Sequence, residues 1–283
     1  MPSSFEQIIT VFEYALAAAG LVCLAWLAFS QGGRAVRARP AALAAWDVTL
    51  AEFLFLAWLV VTLGFLGQFG LRLTLGTALR NRPDGDTLEM VVYGSMFHVG
   101  AILACIYRRL YVRRRVPAGA VNQAPLPPAA WLRSARHAGL TLLAAVPLIA
   151  ATSLAWEGLL QAVGLPTEHQ ELIDLFSRTR SPVLLGSMVT LALVIAPIAE
   201  ELVFRAGLFR FLRTRAPRWV AFTASAGLFA LLHANWASSM PLFVLGLVFA
   251  LVYERTGDLA VPMLAHALFN LNTLLLVLGG VTQ

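Results

Sequence analysis

Eight long, almost uncharged apolar runs constrain this chain more than any other feature of its sequence. They cover about residues 7–29, 42–67, 90–107, 138–163, 182–206, 219–238, 241–253 and 259–280. Crossing the ~30 Å hydrocarbon core of a bilayer takes about 20 helical residues, and most of these runs are long enough. Backbone N–H and C=O groups in lipid have no water to bond, so such runs satisfy them internally, as helices. The expectation is an all-α fold, a polytopic membrane helix bundle of about eight transmembrane helices. The seventh run is short and starts at Pro241, which predicts a tilted or incomplete crossing. Composition agrees: 59% of the 283 residues are hydrophobic and 13% charged, where a soluble domain carries about 25% charged residues. A disordered chain is excluded, and eight spans with their loops leave no room for a large extramembrane domain.

Charge sets the orientation. The net charge is +6 and all 21 basic residues are arginine. In a soluble protein that balance would suggest nucleic acid. Here the arginines cluster in loops beside the apolar runs, as the positive-inside rule requires, and no nucleic-acid partner is expected. With the N-terminus outside, the inner loops hold fifteen arginines and the outer loops five, Arg205 being set aside because it lies near a helix core. The bias predicts an N-out, C-out integral membrane protein with an even number of spans. No positive n-region or small-residue cleavage pattern opens the chain, so the first run reads as a retained span. Cys23 and Cys105 lie within apolar runs and show no metal or disulfide spacing.

Pro117, Pro125, Pro127 and Pro128 mark a flexible linker over 113–130. It divides an N-terminal region, 1–137, of three helices plus a Pro/Arg-rich cytoplasmic loop from a five-helix region, 138–283. Residues 168–176 predict a short amphipathic helix on the outer surface. No internal repeat is evident.

Ionisable groups inside a span are costly and point to function by default. Glu13, Asp47, Glu52, His98 and Glu157 stand without a partner at helical spacing. They are expected to make interface or interhelical hydrogen bonds rather than to catalyse. The C-terminal runs differ. Glu200, Glu201 and Arg205 lie in the fifth run, Phe229 and His233 in the sixth, and His266 and Asn270 in the eighth. The midpoint between Glu200 and His233 falls between Ala216 and Pro217. An antiparallel hairpin turning there puts both residues at one depth, ~24 Å from the turn at about 1.5 Å per residue. With an inner boundary near Gly207, Glu200 lies ~10 Å inside it, and His266 lies ~12 Å past Asp258. Three polar residues from three helices thus reach similar depth.

Adjacent helical residues point about 100° apart, so Glu200 and Glu201 do not face one point. Arg205 follows Glu201 by four, the favourable order for an ion pair. That assigns Glu201 and Arg205 to structural support and leaves Glu200 to face His233. His266 and Asn270 share a face, and Phe229 lies one turn before His233, either packing against the site or serving as an ordinary helix-facing aromatic. A carboxylate beside a histidine can activate water, and a second histidine with an asparagine can hydrogen-bond a developing oxyanion. Spacing alone leaves two readings open: a set of catalytic parts for amide hydrolysis, or a buried polar network that ties helices together.

Glu-Glu-x-x-x-Arg, Phe-x-x-x-His and His-x-x-x-Asn, in that order on successive apolar helices, resemble the three motifs of the CAAX-protease and bacteriocin-processing family of intramembrane endopeptidases. The resemblance covers about 182–275. It implies a glutamate-centred membrane peptidase, with Glu200 and His233 on the water and His266 and Asn270 on the oxyanion. It implies a membrane-associated protein or peptide as substrate, in a bacterial inner membrane given the Ala- and Arg-rich, Lys-free composition. Family members have also been described as metalloproteases, and Glu200, His233 and His266 would be the zinc ligands. No metal or other cofactor is expected, because no His-Glu-x-x-His helix is present and a ligating Glu200 would leave the water without a base. The competing expectations are a non-catalytic scaffold or bacteriocin-immunity protein that keeps the family helix core, and an ion-coupled transporter, whose internal repeats are missing here.

Overall fold

The computed structural model describes residues 4–115, 128–167, 175–176 and 179–280. Nine helices, and no strand, occur among the described residues: α1 Ser4–Phe29, α2 Gln31–Ala38, α3 Leu50–Arg80, α4 Gly85–Arg115, α5 Pro128–Ala162, α6 Pro182–Arg215, α7 Arg218–Leu231, α8 Trp236–Thr256 and α9 Ala260–Leu278. Seven of them, all but α2 and α7, are long and apolar enough to cross a membrane. All but Leu175 and Phe176 of the expected 168–176 helix, and most of the 113–130 linker, fall outside the described residues.

Two of the eight expected runs change character. The 241–253 run, expected to be short, begins five residues earlier. Asn235 caps the helix by accepting from the Ser238 N–H, and Pro241 is carried inside a 21-residue α8. The short helix is instead α7. Its 14 residues rise ~21 Å, less than the hydrocarbon core. It stops because Ala234 takes a left-handed conformation, φ 51°. Direction still alternates through α6, α7 and α8. Glu254 near the end of α8 binds Arg213 Nε at 2.6 Å and Arg218 Nη2 at 2.7 Å, so the end of α6, the start of α7 and the end of α8 are level. The run at 42–67 also moves. Residues 40–49 are non-helical, and α3 starts at a capping box in which Thr49 accepts from the Glu52 N–H and Glu52 accepts from the Thr49 N–H.

The 40–49 segment crosses this end of the bundle. Ala42 and Leu43 donate to the Glu254 carbonyl, Arg210 donates to Ala44 O, and Arg215 donates to Val48 O. Gly257, at φ 64°, ends α8 directly beneath it, and a Cβ there would lie 2.9 Å from Ala42 O. Gly257→Ala is therefore expected to cost about 1–2 kcal/mol from the left-handed conformation alone. A lowered unfolding midpoint in detergent checks this.

At the opposite end, Asp84 in the α3–α4 turn accepts from Arg82 and Ser181. The hydrogen bonds from Arg82 and Ser181 hold its carboxyl below the ordinary carboxylate range. Ser181 also caps α6 by accepting from the Leu184 N–H. Beneath this clamp Leu88 and Val91 of α4, Leu184 and Met188 of α6 and Leu274 of α9 form one core cluster. A second joins Ala138 and Ala145 of α5, Leu245 and Phe249 of α8, and Ala265 of α9. α3 and α4 approach closely where Gly100 meets Gly64, a Cβ on Gly100 falling 2.7 Å from Gly64 N. Small residues at such a crossing let backbones pack without lipid between them.

Candidate active site

α6 departs from α-helical geometry twice, around Pro197. Leu191–Ile195 and Glu201–Phe209 are π-helical, with Ala196–Glu200 α-helical between them. Such wide turns recur at functional sites. In the first, the Ala196 N–H bonds Leu191 O, five residues back. The next bond in that register would run from residue 197 to Ala192 O, and proline has no N–H to give. Asn270 of α9 supplies the donor instead, its Nδ2 lying 2.8 Å from Ala192 O. Pro197 thus opens a backbone acceptor that docks α9 beside Glu200.

Glu200 and Glu201 straddle the junction between α and π geometry and point to different partners. Glu201 and Arg205 are wholly buried, with Arg205 Nη1 3.1 Å from Glu201 Oε1. The guanidinium sits in an aromatic box, 4.5 Å from the Phe229 ring centre, 5.3 Å from Phe249 and 5.9 Å from Phe204. Its Nη2 reaches Gly246 O at 3.4 Å. Such cation–π contacts gain strength when desolvated. Glu201 Oε1 also lies 3.0 Å from His266 Nδ1. Glu201 therefore does more than pair with Arg205: it orients the His266 ring. A carboxylate can only accept, so Nδ1 carries the hydrogen, and Nε2 faces Glu200 Oε2 at 3.7 Å.

His233 lies in the turn just after α7, half-buried, and not within a span. Its Nδ1 is 2.8 Å from Phe229 O. Because a carbonyl only accepts, Nδ1 is protonated and the Nε2 lone pair of the neutral ring is left as an acceptor. Phe229 joins the histidines, its ring centre 4.9 Å from that of His233 and 6.0 Å from that of His266.

His98 makes an interhelical hydrogen bond, as expected, and makes it within the site. Its Nε2 lies 3.3 Å from Glu200 Oε1, bringing α4 into the site. Its position follows from the packing of α4. Leu88, Val91, Ser95 and His98 form one stripe at spacings of three, four and three, and Leu88 and Val91 pack on α6. Gly100, two residues on and about 200° around the helix, faces α3 instead. The stripe is visible in the sequence, but nothing there names the partner. The other isolated residues also find partners. Glu13 accepts from Asn272 at 3.1 Å, Glu157 accepts from Gln161, and Glu52 closes the α3 capping box. Asp47 is exposed in the non-helical 40–49 segment, outside any span.

Among the described residues no group of three or more His, Cys, Asp or Glu is arranged to hold a metal ion. Glu254, which ties the ends of α6, α7 and α8 together, has no role that its sequence neighbourhood assigns. Glu254 directly follows the 241–253 run, with its arginine partners 36 and 41 residues away, so local spacing gives no sign of the bond.

Residues 182–272 match the family described as type II CAAX prenyl endopeptidase Rce1-like. The membrane-embedded CAAX protease MroQ of Staphylococcus aureus (strain USA300) is 39% identical over 83 residues, 27% of this chain and 34% of its own length. YdiL of Bacillus subtilis (strain 168), a candidate membrane peptidase, is 30% identical over 83 residues, 29% of this chain and 34% of its own length. The alignments thus span about a third of each relative. No solved structure matches the chain. The matched segment contains Glu200, Glu201, Arg205, His233, His266 and Asn270, and over it the chain is similar to CAAX-type membrane peptidases.

Proposed function

We propose that this protein is an intramembrane endopeptidase that hydrolyses a peptide bond of a membrane-associated protein or peptide. The observation that carries the reading is the environment of Glu200: a carboxylate in an apolar helix with His98 Nε2 and His266 Nε2 at 3.3 and 3.7 Å from its oxygens, on the segment shared with membrane peptidases. Glu200 takes a proton from water as the water oxygen attacks the scissile carbonyl carbon, with His233 Nε2 as a second acceptor on that water. The proton then passes to the leaving amine as the C–N bond breaks. His266 and Asn270 stabilise the oxyanion. Asn270 Nδ2 has two N–H groups, and Ala192 O uses one of them. Donation from His266 Nε2 requires the doubly protonated ring, which the flanking Glu201 and Glu200 carboxylates at 3.0 and 3.7 Å would neutralise. Comparing chain termini in the membrane and secreted proteomes of wild-type and Glu200→Ala strains tests the function. Termini present only in wild type are the expected result, and identical sets would contradict it.

The protein sits in the bacterial inner membrane with both ends outside, on the fifteen-to-five arginine distribution. Single cysteines at positions 122 and 283, in a background lacking Cys23 and Cys105, check the orientation. Position 283 is expected to react with an impermeant thiol reagent on intact cells, and position 122 only after permeabilisation. Labelling of 122 on intact cells would reverse the assignment.

A further inference from the structure

We propose that His98 is a positioning residue for the catalytic carboxylate, so that the active site is completed by a helix outside the segment that defines the family. The inference rests on the reading of Glu200 as the general base. A glutamate on a π-helical junction has three rotatable side-chain bonds, so its carboxylate needs a partner outside its own helix to hold one geometry. His98 Nε2 lies 3.3 Å from Oε1, within hydrogen-bond distance, whereas Oε2 has no hydrogen-bond partner among the described residues and His266 Nε2 stands 3.7 Å from it. An ionised Glu200 can only accept, so His98 Nε2 carries the hydrogen. Among the described residues His98 Nδ1 is buried without a hydrogen-bond partner. Among those residues the ring therefore has one hydrogen bond, and it is to Glu200. A histidine kept only to join helices would gain most from bonding at both nitrogens, since an unpaired buried polar atom carries a desolvation cost. The same α4 stripe packs on α6 through Leu88 and Val91, while Gly100 is pressed against Gly64 of α3. The ring is thus held by the rigid α3–α4 hairpin and not by a loop.

A misplacement of about 1 Å in a reacting group costs on the order of a hundredfold in rate. His98→Leu is expected to lower kcat by about ten- to a hundredfold, with KM within about twofold, on the peptide substrate found by the terminus comparison. Glutamine places an amide N–H where histidine has Nε2, and asparagine places one where it has Nδ1. His98→Gln is therefore expected to restore kcat to within about threefold of wild type, and His98→Asn to behave like His98→Leu. A structural role would not separate Gln from Asn. Equal losses in both, tracking a fall in unfolding midpoint, would overturn the proposal, as would a folded His98→Leu with wild-type kcat. If His98→Leu fails to fold, the Gln and Asn pair still decides. Glu200→Gln run alongside separates the two readings: activity retained there removes the general base itself, whereas an inactive Glu200→Gln with a fully active His98→Asn removes only the positioning role.

Discussion

Arg205→Leu is expected to destabilise the fold by about 3–5 kcal/mol, the cost of leaving a buried partner charge uncompensated. Arg205 and Glu201 are both fully buried and pair at 3.1 Å, and the guanidinium is packed by Phe204, Phe229 and Phe249. Leucine removes the charge and the aromatic contacts while Glu201 stays in place, with only His266 Nδ1 beside it. Removing both charges changes the sign of the argument, because two neutral groups carry no ionic desolvation cost. Arg205→Leu combined with Glu201→Gln is therefore expected to recover part of the lost stability, while His266 keeps a weaker acceptor. Unfolding midpoints of the single and double variants in one detergent measure this. A double variant no more stable than Arg205→Leu would mean that the aromatic box, and not the ion pair, carries the stability.

The membrane helices were legible because apolar runs in lipid have one local solution, and every expected run has a helix in the structure. The ends were less legible. The sixth run stays apolar through Leu231 and Leu232, yet α7 stops there because Ala234 adopts a positive φ that its residue type does not announce. Asn235 and the Thr49–Glu52 box, which set the starts of α8 and α3, lie inside the expected 219–238 and 42–67 runs, whose apolar character hides them. The apolar 182–206 run gave no sign that the turns flanking Pro197 would widen or that Asn270 would take the carbonyl this frees. Within the site, helical spacing was enough to separate Glu200 from Glu201 and to place Arg205 next to Glu201. It did not reach contacts set by the packing of distant helices. His98 meets Glu200 across 102 residues and Glu201 meets His266 across 65, and no periodicity within one helix encodes either.

The two glutamates give the second prediction. Glu200→Gln is nearly isosteric, keeps an oxygen that can accept from His98, and leaves the buried Glu201–Arg205 pair untouched. The fold is expected to hold, with an unfolding midpoint close to wild type. An amide cannot take the water's proton, and loss of a general base costs about a hundred- to ten-thousandfold in rate. Glu201→Gln is the opposite case. It weakens the pair with Arg205 and the bond that orients His266, so yield, midpoint and rate are all expected to fall together.

The measurement that tests the central claim most directly is cleavage of one mapped membrane peptide by purified wild-type, Glu200→Gln and Glu201→Gln proteins in the same bilayer, with unfolding midpoints taken on the same preparations. The account predicts an inactive but normally stable Glu200→Gln beside a destabilised Glu201→Gln with partial activity. A Glu200→Gln protein that still cleaves, beside a stable and inactive Glu201→Gln, would contradict it and exchange the roles of the two carboxylates.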